Sequence, residues 1–217
     1  GYKVYHIIHD YIPHPGRKFL PTLIYNYLVC FLFNLVFHSR SQAKVSARNC
    51  TIFPLPITKL TKPTQDKKGS FFSFGRYEEY KNFNYIIKLA KLMPQYSFYI
   101  ASKGFNLNNI PSNVTLYSNY LPEEDLDALI QKCQAILLPY TSATQSGVII
   151  KAFEASTPVI VSDLEGLKEY ISNTNQLGSY FNLENPMSFH SAVKFINKID
   201  HELLFEELCC WNSSNVL

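Results

Sequence analysis

Two cations, Arg76 and Lys81, follow a glycine at the end of an apolar run in the segment Phe74-Gly75-Arg76-Tyr77-Glu78-Glu79-Tyr80-Lys81-Asn82. Fixed cations facing one cleft suit a diphosphate, because phosphoryl oxygens gain charge as a nucleotide diphosphate departs. A guanidinium adds a bidentate fork. The plainer alternative is a solvated loop in which Glu78 and Glu79 pair with the two cations.

A second segment, Leu138-Pro139-Tyr140-Thr141-Ser142-Ala143-Thr144-Gln145-Ser146-Gly147-Val148, breaks at proline and enters a helix near Gly147 through a hydroxyl-rich turn. Exposed amides at a helix N-terminus suit phosphate, and Ser146 or Thr144 as a simple helix cap is the competing use. The third segment, Ser162-Asp163-Leu164-Glu165-Gly166-Leu167, has the same strand-to-helix character, and its Asp or Ser reads equally well as a cap. His9 ends an apolar strand, where a histidine is more often a satisfied structural group; His14 orders a loop.

Other chemistries find little support. The five cysteines show neither CxxC pairing nor metal-ligand spacing, which argues against a zinc site and a disulfide framework and fits a reducing, cytoplasmic compartment. Twenty basic and 17 acidic residues are spread along the chain without a basic stripe, so a nucleic-acid track is not indicated.

The elements that must position these loops alternate. Strands are expected at Val4 to His9, Phe33 to His38, Ser70 to Phe74, Ser97 to Ala101, Val114 to Tyr117, Ala135 to Leu138 and Pro158 to Ser162. Helices are expected at about Leu20 to Phe33, Asn82 to Met93, Glu123 to Lys132, Gly147 to Ala155, Leu167 to Ile171 and Met187 to Ile199. Such alternation predicts an α/β fold with a Rossmann-like parallel sheet covered by helices on both faces. In such sheets ligands lie beyond the carboxyl ends of the strands, where the three segments stand.

Phe19 to Phe37 contains no charged residue and approaches the length of a membrane span. Pro21, Asn26 and Asn34 interrupt it, and it is read as a buried helix followed by a strand. Between Ile52 and Gly69, Pro54, Pro56 and Pro63 lead into charged residues, a composition that suits a connector. The sequence opens without a methionine or a signal-peptide layout, so residue 1 is not expected to be the natural start.

Together the three segments resemble the C-terminal domain of the retaining GT-B glycosyltransferases of family four, the group-one type. Phe74-Gly75-Arg76 with Lys81-Asn82-Phe83 is the most typical part, and the likeness runs from about Ser70 to Ile171. Ile8-His9-Asp10-Tyr11-Ile12-Pro13-His14-Pro15-Gly16 and Val36-Phe37-His38-Ser39 resemble late parts of that family's N-terminal domain. The implied organisation is a remnant of the acceptor-side domain over 1–57, a linker over 58–69, a nucleotide-sugar donor domain over 70–200 and a tail over 201–217.

The resemblance implies that Arg76 and Lys81 grip the donor diphosphate beside Gly75. Thr144, Ser146, Gly147 and Val148 would approach phosphate or sugar, Tyr120 and Leu121 would lie beside the base, and His9 would be the catalytic residue facing the transferred sugar. No metal is expected. Two departures stand out: Lys151 and Ala143 occupy the positions of the family's paired glutamates, with Glu154 three residues beyond Lys151. Lys151 is therefore also a candidate to meet a phosphate. Ser156-Thr157-Pro158 and Glu165-Gly166 replace glycine-containing turns.

The implied activity is transfer of a sugar from a nucleotide-diphosphate sugar to a glycan or lipid-linked acceptor with retention. The implied place is cytoplasmic, at the inner face of the cell membrane where peripheral membrane contact occurs. The competing functions are a degenerate nucleotide-binding remnant and an enzyme of the nucleotide-sugar epimerase kind.

Overall fold

The computed structural model describes residues 5–8, 19–32, 34–38, 50–53, 55–63, 69–171 and 176–214. The described strands form two parallel sheets. The smaller has the order β1 (Tyr5–Ile8), β2 (Asn34–Phe37), β3 (Cys50–Ile52), with α1 (Phe19–Leu32) crossing from β1 to β2. The larger holds six strands: β4 (Ser70–Phe74), β5 (Ser97–Ala101), β6 (Val114–Tyr117), β7 (Ala135–Leu138), β8 (Val159–Ser162) and β9 (Gly178–Phe181).

Its order, β6-β5-β4-β7-β8-β9, runs outward from β4 in both directions, so the topological switch lies between β4 and β7. The helices between its strands are α2 (Phe83–Leu92), α3 (Glu123–Lys132), α4 (Gly147–Glu154) and α5 (Glu165–Lys168); α6 (Ser188–Ile196) and α7 (His201–Ser214) follow β9. Helices on the faces explain why β7 and the first three residues of β8 read as unbroken apolar runs, with every residue of both strands buried, instead of alternating. Phe71, Phe72, Phe98, Phe153, Phe181 and Phe189 fill the core of this unit. The aromatic richness of the sequence is spent largely there.

Several expectations shift. α5 begins at Glu165 rather than Leu167, since the backbone turns at Leu164 and Lys168 reaches back one turn to Glu165 at 3.1 Å. β3 and β9, each short, and α7 are elements the periodicity did not announce. Within α7, Leu204 and Leu208 are fully buried in the core of the larger unit, and Trp211 packs against it. Helix α1 is not buried as expected: Asn26 and Val29 are covered, whereas Leu20, Ile24, Tyr25, Tyr27 and Leu28 are more than half exposed. No described helix is long and apolar enough to cross a membrane.

Residues 55–63 lie against the larger unit. Ile57 is in its core, Thr58 donates its amide to Glu154 Oε1 at 3.1 Å, and Thr61 donates its amide to the Glu154 carbonyl at 2.8 Å. Ser156 sits in the left-handed region at φ +48° where a glycine is easiest. Its hydroxyl donates to the Thr61 carbonyl at 2.5 Å, a bond that glycine could not make.

Candidate donor site

The loops after β4 and β7 flank the switch point, where an open parallel sheet leaves a crevice. After β4, Gly75 adopts φ +123°, and its amide donates to the Ala101 carbonyl at 3.0 Å. A 3-10 turn (Glu79–Lys81) follows, closed by Asn82 in the left-handed conformation at φ +54°, which asparagine tolerates. The turn folds Lys81 back over Gly75, so that a methyl group at position 75 would collide with the Lys81 ammonium. Val148, in the first turn of α4, approaches the same point to 4.0 Å.

Lys81 is therefore an ammonium over the glycine turn beside the start of α4, and its side chain is nearly buried, at 7% exposure. Among the described residues no carboxylate pairs with it or with Arg76. Burial holds the Lys81 ammonium below the usual lysine pKa; the field of Glu78 opposes that shift and the field of Arg76 adds to it. A solvated loop paired with Glu78 and Glu79 would leave the lysine in water, which is not the arrangement found. Arg76 itself is exposed at the rim.

Arg76 and Gly75 also line a cavity of about 280 Å³ with Phe74, Ser102, Tyr120 and Leu121. Ser102 is 2% exposed, and its hydroxyl has no hydrogen-bond partner among the described residues. Sequence reasoning missed this residue: a serine after a strand is too common to single out. An apolar slot with a few polar groups at its edge fits a planar heterocycle.

At α4 the structure separates the roles the sequence left open. Ser146 makes no capping bond. Its amide donates instead to the Tyr170 hydroxyl at 3.4 Å, and the buried Tyr140 faces its side chain. Burial raises both phenols, that of Tyr170 to about 12, so both are neutral hydroxyls at physiological pH. The amides of Gly147 and Val148, in the first helical turn, have no intrahelical acceptor and remain for an anion. Thr144 lies in the turn before them, half-buried. Gly166 is needed behind it, because a methyl there would lie 2.5 Å from the Ala143 carbonyl oxygen.

Lys151 is not brought to this group. Its ammonium is held on α3 by Asp127 at 2.8 Å and Glu123 at 3.0 Å, which raises its pKa. A glutamate at 151 would face those two carboxylates, a physical reason for the departure at this position. Glu154 is likewise occupied, accepting from Thr58 and Thr61. Asp163 caps nothing; it pairs with Lys168 at 2.6 Å. His9 lies outside the described residues, as does His14.

The fold and the crevice define a Rossmann-like unit of the GT-B kind. Residues 58–203 match the family described as glycosyl transferases group 1, and the chain belongs to that family. No curated protein matches it. Among solved structures, TarM of S. aureus superposes with a TM-score of 0.71 at 15% identity, over 98% of this chain and 46% of that one. The pneumococcal O-GlcNAc transferase GtfA, in complex with UDP and GlcNAc, gives 0.65 at 12% identity, over 98% and 52%. Sucrose-phosphate synthase from Thermosynechococcus elongatus gives 0.68 at 11%, over 97% and 67%. The chain thus spans about half the length of TarM and GtfA.

Proposed function

We propose that this chain holds the nucleotide-diphosphate sugar of a retaining glycosyl transfer to a glycan or lipid-linked acceptor. In the transfer the bond between the sugar's anomeric carbon and the β-phosphate oxygen breaks, and a bond to an acceptor hydroxyl oxygen forms. The acceptor proton is lost and the nucleoside diphosphate leaves. Stabilising that leaving group is the task this chain's residues suit.

The observation that carries the reading is Lys81: a buried ammonium, unpaired among the described residues, beside the Gly147 and Val148 amides, which have no acceptor among those residues. A buried charge is retained at a cost unless a partner arrives. A diphosphate supplies that partner. Arg76 would close the rim, and the base would enter the slot beside Tyr120 and Leu121. TarM has been crystallised with UDP and alpha-GlcNAc-glycerol, and GtfA with UDP and GlcNAc, which makes UDP-sugars the first donors to try.

Calorimetric titration with UDP, GDP and their sugars tests the reading. Binding weakened by Arg76→Ala and strongly by Lys81→Ala, but not by Glu154→Ala, supports it. Equal effects of all three sink the assignment. Absence of all binding favours the degenerate remnant, and conversion of free UDP-sugar without acceptor favours the epimerase-like enzyme.

A further inference from the structure

The two phosphate-facing segments, the turn bearing Lys81 and the first turn of α4, are joined through a row of tyrosines. The Tyr80 carbonyl accepts the Thr141 amide at 2.8 Å, and the Tyr80 ring meets Tyr140 edge-on, with centroids 5.4 Å apart at 88°. Tyr140 and Tyr170 are 2% and 3% exposed; the Tyr170 hydroxyl accepts from the Ser146 amide at 3.4 Å, and the Tyr140 hydroxyl faces the Ser146 side chain. Ser146 is itself buried, with its amide committed inside the protein. Behind Tyr170 stacks Trp211 of α7, at 6.2 Å and 16°.

We propose that Tyr140 and Tyr170 are positioning residues that clamp Ser146 from two sides, so that the amides of Gly147 and Val148 face the same diphosphate as Lys81. The inference rests on the donor-binding reading and adds how the site is preset. Neither tyrosine touches the donor. Each acts through Ser146, and the Tyr80–Tyr140 contact carries the constraint across to the lysine turn. Preorganisation of this kind avoids ordering the loop when ligand arrives.

The test uses the isosteric variants Tyr170→Phe and Tyr140→Phe, which keep the rings packed and remove one hydroxyl each. Loss of one neutral hydrogen bond corresponds to about a fivefold to tenfold weaker UDP affinity. Uridine, which has no phosphate, should bind each variant as it binds the wild type, by ligand-observed NMR. A merely structural role would instead lower Tm and weaken uridine and UDP alike. Lys81→Ala combined with Tyr140→Phe should lose less than the product of the single losses.

If wild type binds UDP and both variants match it, the clamp is refuted while the donor site stands. If wild type binds no nucleotide, both fall. Should Tyr170→Phe fail to fold, Tyr140→Phe reads the same clamp from the hydroxyl side of Ser146.

Discussion

Replacing Lys81 by methionine is expected to separate ligand binding from stability in opposite directions. The side chain is 7% exposed and unpaired among the described residues, so the free protein bears the cost of its burial while only the liganded protein gains from its charge. Two unit charges 4 Å apart attract by about 4 kcal/mol at an effective dielectric of 20, an upper value once phosphate desolvation is counted. Charge-assisted hydrogen bonds contribute about 1.5–3 kcal/mol each. A loss of about 2–3 kcal/mol, or roughly 30- to 150-fold in Kd for UDP, is therefore expected.

Methionine keeps much of the stem's volume and removes the desolvated charge, so the unliganded Lys81→Met protein should melt at or above the wild-type temperature. Calorimetric titration supplies the first number and scanning calorimetry the second. Unchanged UDP affinity would refute the reasoning. So would a large fall in unliganded Tm with affinity intact, since Lys81 would then be a packing residue.

The depressed pKa of Lys81 also sets a pH dependence. Below that pKa the folded protein carries a charge that burial disfavours, so this lysine lowers unliganded stability there. The penalty fades as pH rises through the folded value toward that of the unfolded chain. A diphosphate raises the pKa, so UDP affinity should be fullest below the free-state value and fall as pH rises through it. Proton uptake in that window is measurable by titration in buffers of different ionisation enthalpy. Gly166→Ala should drive Ala143 and Thr144 outward, costing about 1–3 kcal/mol and weakening UDP binding, as read by denaturant melts and titration. Ser156→Ala should destabilise by about 1–2 kcal/mol, more than Ser156→Gly, because alanine keeps the left-handed strain and loses the bond to Thr61 whereas glycine relieves the strain.

The sequence by itself determined the alternation of strands and helices in the larger unit, because a fully buried parallel strand must be continuously apolar and its helices must repeat at 3.6 residues. It also marked the loops after β4 and β7, since a glycine followed by cations and a hydroxyl-rich helix entry are local signals. The neighbours of those residues were not legible. Lys81 could have paired with Glu78, Ser146 could have capped α4 and Lys151 could have met a phosphate. Each choice depends on which distant side chain arrives within hydrogen-bond reach. Only tertiary structure brought Tyr170 to the amide of Ser146 and Asp127 to Lys151, and left Lys81 buried without a carboxylate among the described residues. Pairing of that kind is set by strand order and helix packing, which no local spacing encodes.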